Sequence, residues 1–198
     1  MLDSEKIEKS LKLLGELLDR RQLSPLQLIV CGGSSLIVTG LVSRTTRDVD
    51  VLGTISPSSD GSLVIHEIES FSPQFLEVVD LVAREFGLDK EWLNSGPTML
   101  VRFGLPKGFQ ERLQSRLFGP ALTIHFISRW DQIHFKIYAA RNKGPGRHVE
   151  DLLALKPTEA ELLSAARWLI SRDPPEPLRE ILKEMLNAIG YPSVAGRI

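Results

Sequence analysis

Two short stretches decide the fold: Cys31-Gly-Gly-Ser-Ser35 and Arg44-Thr-Thr-Arg-Asp-Val-Asp-Val51. The apolar run Leu26 to Cys31 reads as a buried strand, and Gly32 and Gly33 break it. Asp48-Val-Asp-Val51 alternates, so Val49 and Val51 face a core while Asp48 and Asp50 share the opposite face. Their carboxylates then sit about 7 Å apart along the strand. Thirteen residues separate Ser34 from Asp48, room for one short helix and a returning strand. That topology brings the acid pair beside the glycine turn.

Working outward, Ser4 is a cap for a first helix running to about Arg21, with Ile7, Leu11, Leu14 and Leu18 on one face. Ser34 or Ser35 caps a short apolar helix through Leu41. A polar loop is expected over Ser56 to Gly61, and a strand over Leu63 to Ile68. Pro73 opens a helix that Gly87 stops. Asn94 to Gly119 is poorly periodic and reads as a long connection with a short helix near Gln110. Ala121 to Ile127 reads as a strand. Helices follow over Ser128 to about Asn142, Val149 to Leu155, Pro157 to Arg172 and Leu178 to Ile189. The expected class is α/β (α+β): a small mixed sheet with flanking helices over 1–127, then a helical lobe over 128–198.

Composition bounds the function. The chain has 198 residues, 42% of them apolar, and a formal net charge of −1. General attraction to polyanions or anionic membranes is therefore not indicated, and any such partner needs a local patch. One cysteine, Cys31, excludes an internal disulfide and any multi-cysteine metal site; it reads as a small buried hydrophobe. The N-terminal residues are too polar for a secretory signal and no stretch has the apolar length of a membrane span, so a soluble, cytoplasmic setting is expected.

Asp48 and Asp50 suit a hard cation such as Mg²⁺ (or Mn²⁺), which binds oxygen and keeps positions open for phosphate. Gly32 and Gly33 let backbone approach a phosphate closely, and Ser34 adds a hydroxyl at a helix start. A lone Gly-Gly-Ser is usually only a turn and a lone Asp-Val-Asp only a strand edge. The combination carries the signal.

With both halves in view, the chain resembles the nucleotidyltransferase superfamily, also called DNA polymerase β-like. Within it, Cys31-Gly-Gly-Ser-Ser35 with Arg44 to Val51 resembles AbiEii-type toxins, and more closely the AbiEii-related DUF6036 group. Trp92-Leu93-Asn94, Lys136 and Asp151-Leu152 match later features of that group, so the resemblance spans about Leu28 to Trp168. It implies Mg²⁺-dependent transfer of a nucleoside monophosphate from an NTP to an RNA (tRNA-like) or protein acceptor. A toxin role with a cognate antitoxin as partner is also implied. It further implies a third carboxylate on a later strand. The matching strand, Ala121 to Ile127, holds His125 and no acid, which leaves Asp80, Asp131, Glu150 and Asp151 as candidates. A non-catalytic relative that binds a nucleotide, RNA or protein through the same cleft is the rival reading.

Between Arg129 and Arg147, five cations (Arg129, Lys136, Arg141, Lys143, Arg147) stand against one acid, Asp131. Lys136, on a half-apolar helix face, is the expected triphosphate cation, with Arg44 and Arg147 as further phosphate contacts. Lys143 reads as an ordinary surface charge, and Arg47 as a neighbour of the carboxylates. Four scattered histidines have no zinc-ligand spacing, and His125 and His134 read as structural. Trp92 reads as core packing or the wall of a base pocket.

Overall fold

The computed structural model describes residues 1–143, 146–172 and 176–198, the side chains of 142 and 143 excepted. It divides into two compact units, Met1–Ile127 and Ser128–Ile198. The first is built on a mixed sheet of β1 (Leu26–Cys31), β2 (Val49–Pro57), β3 (Leu63–His66), β4 (Leu93–Asn94), β5 (Gln114–Leu117) and β6 (Leu122–Phe126). The strand order is β3-β2-β1-β6-β5. β1 is antiparallel to β2 and parallel to β6, so it lies at the centre with the glycine turn at its end.

The strand β2 is longer than the sequence pattern suggests, and its length gives one edge two partners. Thr54 to Pro57 pair with β3, while Val49 and Asp50 pair with the two-residue β4. Sheet pairing thus draws Ser56 and Pro57, expected in a loop, into β2. Much of the expected 94–119 connection is structured too: α4 (Met99–Phe103) and the edge strand β5 form there. Short elements with little periodicity of their own depend on the strands they pair with, which a local pattern does not reveal.

Helices α1 (Ser4–Arg20) and α3 (Pro73–Phe86) supply the apolar cover. Ile7, Leu11, Leu14 and Leu18 of α1 and Phe75, Val78, Val79 and Val82 of α3 join Leu28, Val30, Val49, Val51, Ile124 and Phe126 in one core. The α1 cap is Asp3, whose side chain accepts from the Lys6 N–H at 2.8 Å, and not Ser4. Gly87 ends α3 with φ +58, the left-handed conformation that terminates helices. Trp92 is fully buried in this core, and its indole N–H donates to the Val79 carbonyl at 3.1 Å. It is therefore a packing residue that ties β4 to α3, not the wall of a base pocket.

In the second unit, α5 (Arg129–Lys143), α6 (Arg147–Ala154), α7 (Glu159–Arg172), α8 (Glu176–Ala188) and the short α9 (Pro192–Ala195) are the described helices. Arg129 is its main polar anchor: the guanidinium donates to the Leu155 and Lys156 carbonyls and pairs with Glu161. His134 lies between Trp130 and Trp168, with Nδ1 against the Trp130 carbonyl, and is structural. Lys143's side chain and residues 144–145 of the basic loop lie outside the described residues. No described helix is long and apolar enough to cross a membrane.

His125 on β6 has both ring nitrogens engaged, Nδ1 with Ser115 Oγ at 2.8 Å and Nε2 with Gln27 Oε1 at 2.9 Å. The amide oxygen only accepts, so Nε2 carries the proton and Ser115 donates to Nδ1. Burial pushes the His125 pKa down. The neutral ring thus belongs to the folded state, and the unfolded chain binds the extra proton. Stability from this residue is present above the ordinary histidine value of about 6.5 and is lost as pH falls through the depressed folded value. NMR titration of the folded protein should return a His125 midpoint below that value, and a Gln substitution should flatten this part of the pH–stability curve.

Candidate active site

The helix α2 (Gly32–Val38) follows β1 without a connecting residue, which is possible because Gly32 sits at φ +68. Cys31 occupies the cap position and makes no side-chain cap bond, so the expected serine caps are not used. Register pairs Cys31 with Asp50. The Asp50 carboxylate is thereby set so close to Gly32 that a Cβ there would run into its Oδ2.

Gly33 is the second close approach. A Cβ added there would lie 2.9 Å from Arg44 Nη2 and 2.9 Å from Thr46 Oγ1. Arg44 is half-buried, and its Nη1 also donates to the Thr45 carbonyl at 2.8 Å. Thr46 is buried; its backbone exchanges two hydrogen bonds with Leu2, and its hydroxyl donates to Asp48 Oδ1 at 3.3 Å. Gly32, Gly33, Arg44, Thr46, Asp48 and Asp50 therefore form one contiguous cluster. Both carboxylates are half-buried, and Val49 between them is fully buried in the core.

A cavity of about 460 Å³ opens beside Asp48, lined by Arg47, Leu88, Asp89, Glu91 and Asn94 among others. Asp48, Asp50 and the cavity suit a hard divalent cation with oxygen ligands; among the described residues no three acidic, histidine or cysteine side chains converge on one point. The expected third carboxylate is therefore not supplied within the described residues. β6, the strand considered for it, pairs with β1 on the edge away from β2, and its His125 is held by Ser115 and Gln27.

Three other expected phosphate contacts sit differently. Ser34 is fully buried and its hydroxyl donates back to the Cys31 carbonyl at 3.3 Å, closing the turn instead of facing a ligand. Lys136 belongs to the helical unit, where its ammonium lies buried 2.6 Å from the buried carboxylate of Asp151. Its charge is committed to that partner, because a buried ammonium without one is strongly penalised. Arg147 is exposed at the start of α6. Two residues at the site were given no role by the sequence reading. Thr46 has no chemical signature beyond its place two residues before Asp48, and Asn94 acquires its position only through strand pairing.

A mixed sheet, a glycine turn at the end of its central strand and an acid pair on the neighbouring strand define a nucleotidyltransferase-type α+β core. The chain belongs to the DUF6036 family, described as a nucleotidyltransferase of unknown function, whose sequence model matches residues 5–163. No curated protein and no solved structure matches it.

Gly32→Ala places a side chain on a left-handed backbone, costing about 1–2 kcal/mol, and drives the Asp50 carboxylate from its seat. A lowered melting temperature in thermal unfolding is expected. For the helical unit, Lys136→Ala removes the ammonium beside the buried Asp151 carboxylate and should lower stability in urea unfolding. Lys136→Met combined with Asp151→Leu should recover most of that loss.

Proposed function

We propose that the protein is a metal-dependent nucleotidyltransferase that transfers a nucleoside monophosphate from an NTP to an RNA (tRNA-like) or protein acceptor. In this reading it acts as the toxin of a toxin–antitoxin pair. The observation that carries the enzymatic part is the seating of the Asp50 carboxylate on Gly32, with Arg44 and Thr46 on Gly33. Glycine at both positions lets the Asp50 carboxylate and the Arg44 guanidinium sit directly on the turn, so a group for a cation and a group for a phosphate stand side by side.

Each residue has a role. Asp48 and Asp50 hold Mg²⁺ or Mn²⁺, and Thr46 fixes Asp48 through its hydroxyl. Gly32 and Gly33 seat Asp50 and Arg44 on the turn, and Arg44 donates to the triphosphate oxygens. The bound cation supplies charge neutralisation for the leaving oxygens. The acceptor oxygen bonds to the α-phosphorus while the bond from that phosphorus to the bridging oxygen breaks, releasing pyrophosphate, and the acceptor's proton passes to solvent water. Of the cations expected in the helical unit, Lys136 serves chiefly to neutralise Asp151.

A second reading, a nucleotide-fold protein that binds nucleotide, RNA or a protein partner with little turnover, is favoured by one observation. No third acid joins the pair among the described residues.

Incubation with each labelled NTP, Mg²⁺ and bulk tRNA, or total protein as acceptor, tests the choice. Label transfer is expected with the wild type and should fall at least 100-fold in Asp48→Asn/Asp50→Asn, on the order of the loss when a principal electrostatic group is removed. Mg²⁺-dependent NTP binding without transfer selects the second reading. Neither binding nor transfer overturns both.

A further inference from the structure

The two-residue strand β4 has a consequence for the acid centre. Its Leu93 pairs with Val49 and its Asn94 with Asp50. Paired residues on neighbouring strands project to the same face. Leu93 accordingly joins Val49 in the core, and this fixes Asn94 on the face that carries Asp48 and Asp50. Asp50 is thus flanked across the sheet by Cys31 and Gly32 on one side and by Asn94 on the other.

Asn94 is half-buried and lines the cavity that also contains Asp48. Its Oδ1 accepts from the Gly96 N–H at 2.9 Å, which orients the amide. The Nδ2 donors at the other end of the group are then available to an oxygen in the cavity. A carboxylate at this position would add a third negative charge and draw in a cation. An amide adds none, and instead offers N–H to an anionic oxygen held by that cation.

From this placement, and resting on the nucleotidyltransferase reading above, we propose that Asn94 is the neutral third member of the acid centre and donates a hydrogen bond to an oxygen of the cation-bound NTP. The centre then carries two carboxylates, and its cation is held chiefly together with the nucleotide.

The test uses the full chain and reads binding, so it needs no knowledge of the acceptor. Free Mn²⁺ is followed by electron paramagnetic resonance, first alone and then with each of the four common NTPs. Asn94→Asp keeps an oxygen for the Gly96 N–H, and so keeps the turn, while adding a charge beside Asp50. It should tighten Mn²⁺ binding about tenfold, because affinity for hard cations follows the ligand charge count. Asn94→Ala should weaken Mn²⁺-dependent NTP binding about fivefold, the effect of losing one hydrogen bond. Both effects should vanish in an Asp48→Asn background. If wild type binds Mn²⁺ and NTP through Asp48 but Asn94→Asp leaves Mn²⁺ affinity unchanged, Asn94 lies outside the centre and the assignment fails while the enzymatic reading stands. An unchanged NTP affinity in Asn94→Ala overturns the donor role in the same way, and decides the matter alone should Asn94→Asp not fold. Absence of both Mn²⁺ and NTP binding in wild type removes the nucleotidyltransferase reading, and the role of Asn94 with it.

Discussion

The carboxylate of Asp50 rests against the backbone of Gly32 with no room for a Cβ between them, and the rest of the site depends on this contact. Such closeness needs a residue without a side chain, and the left-handed φ of +68 needs one that tolerates that conformation. One glycine meets both demands. Its freedom also lets α2 begin directly off β1. A second glycine repeats the arrangement with Arg44 and Thr46. The site therefore sets the Asp50 carboxylate and the Arg44 cation each against bare backbone, with Asp48 joined to it through Thr46. That combination suits a phosphate ester carrying a divalent cation, since each charge on the ligand finds its complement at short range.

The core on the other side of the sheet explains why these groups stay in place. Val49 and Val51 are fully buried beneath α1 and α3, so rotating β2 to release the aspartates would expose both. Exposing two valines costs about 3–6 kcal/mol, a large part of the stability of an ordinary domain. Trp92, fixed by its bond to Val79, holds β4 in register from the same core. Apolar packing on one face thereby sets the chemistry of the other.

The main elements of the fold were legible because their signals are local. Strand β1, helix α3 with its Pro73 start and Gly87 stop, and the acid strand each carry their pattern within a few residues. Gly32, Gly33, Arg44, Asp48 and Asp50 were legible as a group because the helix between them is short enough to constrain their meeting. Ser34 was misjudged: a serine after two glycines looks like a ligand contact, but α2 starts at Gly32 and turns that hydroxyl back to Cys31. The places of Thr46 and Asn94 in the site could not be read from local pattern. One depends on a bridge to Leu2, the other on pairing with a strand more than forty residues earlier.

Lys136 shows the same limit from the opposite direction. A lysine on a half-apolar helix face can reach toward a ligand or turn inward to an acid, and the two produce one sequence pattern. Fifteen residues on, Asp151 is itself buried on α6, and each charge makes the other's burial tolerable. Truncating either member would therefore disturb the helical unit's folding before any effect on phosphate could be read. The acid pair has no such confusion attached to it. Asp48 and Asp50 are half-buried on the face opposite the core, so neutral amides there leave the packing of Val49 and Val51 intact. It is on those two side chains that chemistry and folding can be separated.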